Sequence, residues 1–337
     1  MSTQMKKCIL ATAVFVGVSW FLQSPSIAQT NPSDYETDLR VERAKLEAHI
    51  KLLRAVIANS NDSHFKNIDR QVRFQISDLN VPNAMVGRNQ QTGITTVYMT
   101  AEYRLLATYL ADVDLIVTLN NDFNVCRDNY VDAVVRVLAT NRQISASGGI
   151  ARRIPAPEVF LDAAAPNCQP FKKRFPIEIK YRQKRDQTAD VVIGLGYLHE
   201  LGHFALGHSP VNLSSIEQLP TNSLRLDEFV RLMARSRTQE SQADDWAIDR
   251  LVDLSPDPVL SLTNVLLTFY MSYSGLDCSL EQADSHPNGY QRFVRQMKRM
   301  KDRATAAGKF TNQEAAAVID DLSVHAIKAK EELKCPR

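Results

Sequence analysis

The stretch Tyr197–His208 (YLHELGHFALGH) constrains the fold most, because two histidines stand four residues apart with a glutamate directly after the first. Residues i and i+4 of a helix lie one turn apart on the same face, so the imidazoles of His199 and His203 can bind one Zn²⁺. Glu200 then points at the open position of the metal. The spacing therefore predicts a metal site on a helix. The alternative is a helix surface that carries these residues by accident.

The flanking residues predict where this helix begins and ends. Thr188–Asp190 resembles an N-cap and first turn, and Gly207 and Pro210 are typical stop signals. The apolar positions between them form one stripe: Val191, Val192, Leu195 and Leu198. The motif is thus expected inside a single helix of about 18 residues.

His208 is one candidate for a third ligand, since a catalytic zinc takes three protein ligands and keeps one position for water. The extended motif HExxHxxGxxH would need glycine at position 206 and histidine at position 209, but the chain has Leu206 and His208. On a continuing helix His208 would also point about 140° away from His203. A polar contact at the helix end is the preferred interpretation of His208.

Glu240 is the better candidate, in the segment Glu240–Asp244 (ESQAD), 37 residues after His203. Helical spacing puts Glu240 and Asp244 on one face, and the small Ala243 lets two helices approach closely. Asp244 is then placed to accept a hydrogen bond from a ligand histidine and fix its tautomer. Taken alone, this segment is better explained by a solvated acidic face. Behind the HExxH motif, the ligand interpretation is favoured.

Three motifs in this order resemble a known family. HELGHFALGH, ESQAD and His286-Pro287 with Arg292 are similar to HExGHxxxxH, ExxAD and HPxxxxR of the gluzincin zinc endopeptidases of the HtpX and CaaX-prenyl-endopeptidase kind. The earlier stretches PNAMVG and GITTVYMT resemble the family's NAF-type loop and the edge strand before the active-site helix. The resemblance covers roughly residues 80–290, with a shorter connection before Glu240 and an insertion near 141–187.

The resemblance implies a mainly helical α+β fold, a zincin-like metallopeptidase domain whose small sheet has an edge strand before the HExxH helix. It implies one Zn²⁺ per chain, with Glu200 as the catalytic base and Asp244 behind the ligands. The implied ligands are His199, His203 and Glu240. It also implies that His286 and Arg292 line the site, with His286 stabilising the oxyanion.

The N-terminus resembles a signal peptide. Lys6 and Lys7 precede an apolar run from Ile9 to Leu22, and small residues follow at 26–28. That run is shorter than the roughly 20 residues of a spanning helix, so cleavage and export to the periplasm or the medium are predicted. The predicted organisation is therefore a signal peptide (1–28), an N-terminal amphipathic helix (29–60) and a metallopeptidase domain (61–337). No later span is predicted, and peripheral membrane association stays open.

The charge balance limits the possible partners, and the cysteine content predicts disulfides. The 40 Lys+Arg against 38 Asp+Glu give a net charge of only +2, and no basic-aromatic stretch is present, so a nucleic-acid partner is not expected. Four cysteines remain after the signal, an even number that favours disulfides in an exported chain. Proximity pairs Cys126 with Cys168 and Cys278 with Cys335, although three connectivities are possible.

Periodicity predicts the remaining elements. Helices are expected over 34–58, from Thr100, and over 129–139, 226–252, 258–273, 288–304 and 312–333. Strands are expected at 72–76, 93–99 and 177–181, with loops over 81–87 and through most of 141–187.

The motifs together predict zinc-dependent hydrolysis of peptide bonds, in which Glu200 takes a proton from water and passes it to the leaving amine. A peptide or unfolded protein is expected to pair with the strand at 94–99. One alternative is a non-catalytic, chaperone-like or binding protein that retains the fold. Another is a zinc hydrolase of a non-peptide substrate.

Overall fold

The computed structural model describes residues 32–79, 81–119, 124–146, 150–164, 168, 179–208, 223–254, 289–309, 311 and 313. These residues form a mainly helical α+β fold with a small three-stranded sheet, which confirms the predicted class. The elements are α1 (Pro32–Asn59), α2 (Ser63–Arg70), β1 (Val72–Ser77), β2 (Ala84–Arg88), β3 (Thr95–Thr100), α3 (Ala101–Leu119), α4 (Asn124–Ala146), α5 (Pro157–Ala164), α6 (Ile179–Ala205), α7 (Ser223–Leu254) and α8 (Gly289–Ala306).

Helix α6 lies at the centre of the fold. It packs against α1, α2, α3 and α7 and against strands β2 and β3. Such a position requires apolar residues on several faces rather than on one stripe. Five of its side chains are fully buried: Ala189, Ile193, Tyr197, Leu198 and Leu201.

The predicted start of this helix at Thr188 is wrong. Helix α6 begins at Ile179, and the Thr188 hydroxyl donates to the carbonyl of Lys184 (2.9 Å) inside the helix. Threonine can make this i−4 bond as an alternative to capping, so its side chain alone does not mark a helix start. The strand predicted over 177–181 is also wrong for Ile179–Tyr181, which form the first turn.

The sheet differs from its prediction in the position of β3. Its strand order is β1-β3-β2, so β3 is central, parallel to β1 and antiparallel to β2. The prediction that this strand is an edge is therefore wrong. The loop predicted over 81–87 is wrong from Ala84 onwards, where β2 forms. Asn89 and Gly93 (φ 69°) close the β2–β3 turn, with the Asn89 side chain accepting bonds from two turn amides. Pairing through this turn supplies the strand order that periodicity does not carry.

The N-terminal helix is part of the same packed unit. Leu46, Ile50 and Ile57 of α1 are buried at 1% exposure or less and belong to the hydrophobic core. Helix α1 extends the predicted 34–58 by one or two residues at each end. Residues 1–31, which include the predicted signal peptide, lie outside the described residues.

A disulfide joins Cys126 of α4 to Cys168, with the Cα atoms 5.8 Å apart. This confirms one of the two predicted pairings, whereas Cys278 and Cys335 lie outside the described residues. The predicted helices over 258–273 and 312–333 also fall largely outside them. Among the helices that the structure describes, none has the length and apolar character to cross a bilayer.

Candidate metal centre

Three predicted ligands converge where α6 faces α7. The Nε2 atoms of His199 and His203 are 3.1 Å apart. Glu240 Oε2 lies 3.2 Å from His199 Nε2, and Glu240 Oε1 lies 3.4 Å from His203 Nε2. One ligand atom from each residue lies within 4.8 Å of the others, a group that could hold a metal ion.

The approach of α7 to α6 depends on two small residues. A Cβ atom added to Gly202 would lie 3.1 Å from the carbonyl oxygen and 3.2 Å from the Cα of Ala243. Glycine inside a helix costs up to ~1 kcal/mol relative to alanine, so it needs a packing reason there. The sequence interpretation credited Ala243 alone. Gly202, inside the HELGH motif itself, was the available signal for the other half of this contact.

Asp244 holds the first histidine from behind. Its Oδ1 lies 2.8 Å from His199 Nδ1, on the side of the ring opposite Glu240. Burial would raise the pKa of Asp244, but the positive charge of Arg292 and the imidazole of His199 hold that pKa well below its usual range. Asp244 is therefore an anion, and when His199 is neutral this contact would favour a proton on Nδ1 and a lone pair on Nε2 towards the ligand cluster.

Arg292 was predicted to line the site, and the structure places it behind Asp244. Its Nε and Nη2 donate to the two carboxylate oxygens at 2.8 and 2.6 Å, a bidentate pair between α8 and α7. Arg292 thus contacts the site through Asp244. His286, predicted to stabilise the oxyanion, lies outside the described residues.

Glu200 lies buried between the histidines and strand β2. Burial raises the pKa of its carboxyl group, while His199, His203 and a hydrogen bond from the Val86 backbone amide oppose that rise. A glutamate with a raised pKa is suited to accept and return a proton near neutral pH. Sequence reasoning did not anticipate the contact with Val86, because β2 was not recognised as a strand.

The electrostatics of the cluster favour a positive charge. Burial alone would lower the pKa of His199, but Asp244 and Glu240 raise it to about 10. The same two carboxylates would favour a bound cation at this place for the same electrostatic reason.

His208 does not point away from His203, because α6 ends before it. The helix stops at Ala205, Gly207 is left-handed (φ 65°), and the ring of His208 returns to that of His203 with their Nδ1 atoms 3.1 Å apart. Its Nε2 lies 3.0 Å from Gln242 Oε1. His208 is outside the converging ligand group and makes polar contacts at the helix end.

No family model, curated protein or solved structure matches this chain. The functional assignment therefore depends on the motifs and on the geometry of the cluster.

Proposed function

We propose that this chain is a zinc metalloendopeptidase of the gluzincin kind, which hydrolyses peptide bonds in exported proteins, unfolded chains among them. The observation that carries the proposal is the convergence of two imidazoles from α6 and a carboxylate from α7, on residues spaced as HExxH and ExxAD. The zincin-like character of the fold and export of the chain are part of the same proposal.

The donor set fits zinc. Two imidazole nitrogens and one carboxylate are the ligands of the His₂Glu catalytic class, which leaves a fourth position for water. Both Nδ1 atoms lie against polar groups, that of His199 2.8 Å from Asp244 Oδ1 and that of His203 3.1 Å from His208 Nδ1. Both Nε2 atoms therefore remain for the metal, and the ring orientations are fixed by neighbouring side chains.

Glu200 is the proposed general base. A Zn²⁺ held by the three ligands would lower the pKa of a water molecule towards ~7 and polarise the scissile carbonyl. The buried Glu200 carboxylate takes the water proton and delivers it to the leaving amine, a transfer aided by its raised pKa. Asp244 and Arg292 keep His199 oriented while this occurs.

Strand β2, rather than β3, is the proposed substrate strand. Asn89 pairs with Ile94 and Asn83 with Thr100 across the hairpin, so the backbone groups of the odd-numbered β2 residues face β3. Backbone groups alternate along an antiparallel strand, so those of Ala84, Val86 and Arg88 face the other edge. Val86 bonds Glu200 from that edge. An extended peptide paired there would run past the proposed base.

Replacing Glu200 by glutamine tests the proposal. We expect purified Glu200→Gln protein to bind one zinc per chain and to lose casein cleavage by a factor on the order of 10²–10⁴, the usual contribution of a general base. The measurements are metal analysis and release of peptides from unfolded casein, with chelation and zinc restoration of the unaltered protein. The matched control is Glu47→Gln at an exposed site on α1, which should cleave normally.

Full activity of Glu200→Gln would refute its role as the base. An unaltered protein that binds zinc and holds unfolded casein without cutting it would support the chaperone-like alternative instead.

A further inference from the structure

We propose that His208 is a positioning residue that fixes the tautomer and orientation of His203, and that Gln242 in turn holds His208. The inference deepens the proposed function, since it concerns the second imidazole of that metal centre. His208 stands outside the cluster of ligand atoms, so its role is exerted through His203.

The turn after α6 is what brings His208 into reach. The amide of His208 donates to the His203 carbonyl (2.9 Å) and that of Gly207 to the Phe204 carbonyl (3.1 Å), the two bonds of a Schellman cap. The cap requires a left-handed residue, and Gly207 supplies it with φ 65°. The chain therefore folds back and places the rings of His203 and His208 with centroids 5.1 Å apart.

The hydrogen bonds then have one consistent direction. His203 Nε2 faces His199 and Glu240, so its lone pair would serve a metal held there, and the proton of the neutral ring would then reside on Nδ1. That Nδ1–H donates to Nδ1 of His208, 3.1 Å away. His208 must then carry its own proton on Nε2, which donates to Gln242 Oε1 at 3.0 Å.

This arrangement matches the one at the other histidine. Asp244 Oδ1 lies 2.8 Å from Nδ1 of His199, much as Nδ1 of His208 lies 3.1 Å from Nδ1 of His203. Asp244 and Gln242 both belong to α7, the helix that also carries Glu240. One helix thus supplies a ligand and, directly or through His208, orients both imidazoles.

Variants at position 208 separate positioning from bulk. His208→Phe keeps a ring but removes the acceptor, whereas His208→Asn keeps an acceptor at the place of Nδ1. Position 208 lines an open groove with Gln242 and Leu206, so neither change disturbs a buried core. Leu206→Ala is the control in the same turn.

The first measurement is zinc affinity by competition with a chromophoric chelator. We expect His208→Phe to bind zinc about 10–100-fold more weakly, as is typical when a partner of a ligand histidine is lost. His208→Asn should restore most of that loss, and Leu206→Ala should equal the unaltered protein. Wild-type affinity in His208→Phe would overturn the inference, as would a failure of His208→Asn to bind better than His208→Phe.

The second measurement reads the tautomers in zinc-free protein by long-range ¹H–¹⁵N spectra. We expect the proton on Nδ1 in His203 and on Nε2 in His208, with the preference at His203 kept in His208→Asn and lost in His208→Phe. A His203 proton on Nε2 in the unaltered protein would refute the inference. This readout needs neither zinc nor cleavage, so it judges His208 even where the unaltered protein binds no zinc and the proposed function fails.

Discussion

The two halves of α6 make different kinds of contact with the neighbouring helices. The N-terminal half is joined to α1 and α3 by ion pairs, in which Arg104 lies 2.5 Å from Asp190 and 3.0 Å from Glu42. Lys45 similarly pairs with Asp186 at 3.0 Å. The C-terminal half instead presents two imidazoles to carboxylates of α7.

The difference lies in what balances the negative charge of the carboxylates at each half. Around the N-terminal half, Glu42 of α1 and Asp186 and Asp190 of α6 each have a basic side chain within 3.3 Å, so the charges neutralise one another. In the C-terminal half, Glu240 faces two imidazoles that are neutral when they bind a metal. One helix thus combines a network in which acidic and basic side chains are paired with a cluster suited to an added cation. The first should matter for stability and the second for metal binding.

Replacing Arg104 by methionine should give the largest effect on stability. The side chain is 1% exposed, and its loss leaves the buried Glu42 without its guanidinium partner. We expect the free energy of unfolding, measured with denaturant, to fall by about 3–5 kcal/mol. Zinc affinity of the folded protein should not change.

The control is Arg73→Met at an exposed position of β1, which should change stability by less than about 0.5 kcal/mol. If Arg104→Met weakened zinc binding as much as folding, the two halves of α6 would not be separable.

Replacing Asp244 by asparagine should act mainly on the metal. Asparagine keeps the shape but removes the anion that accepts from His199, so we expect zinc affinity to fall about 10–100-fold. The chelator competition described for His208 measures this, on protein verified as folded by circular dichroism. The neighbouring Asp245, which pairs with Arg295 at 2.7 Å, provides the control Asp245→Asn with expected normal affinity. Equal affinities for both variants would contradict the assigned role of Asp244.

The convergence of the metal-centre residues was accessible from sequence because its geometry is mostly local. His199 and His203 are one helical turn apart, and Glu240 and Asp244 are one turn apart on another helix. Only the meeting of the two helices is non-local, and the small Ala243 at their contact indicated it. The residues around the cluster were harder to predict, since the return of His208 depends on a turn that ends the helix three residues earlier.

The ion network and the sheet order could not be predicted for a related reason. Arg104 and Asp190 are 86 residues apart, and Thr108 donates to Glu42 across 66 residues. Neither contact produces a helical or strand periodicity that could be recognised in the sequence. Strand β2 is similarly defined by its pairing with β3, because the sequence AMVGR has no clear alternation of apolar and polar residues.

A smaller, pH-dependent effect should come from Asp112 on α3, where the N-terminal network is least balanced. Burial raises the pKa of its carboxyl to about 8, even though Arg185 lies 3.6 Å away. Between its ordinary pKa and about 8, the folded chain keeps a proton that the unfolded chain has released. The free energy of unfolding should therefore fall as pH rises through this window, by at most about 1.4 kcal/mol per pH unit from this group.

Asp112→Asn removes that titration, so the slope between pH 5 and pH 8 should be shallower in the variant, and the variant should gain relative stability at the alkaline end. Denaturant unfolding at several pH values measures the slopes. Glu102 and Asp114, whose pKa values burial raises to about 7 and about 6, keep part of the slope in both proteins. The exposed Asp302→Asn is the control and should follow the unaltered protein. Identical slopes in Asp112→Asn and the unaltered protein would mean that Arg185 neutralises Asp112 fully, and that the charge network of the N-terminal half is balanced throughout.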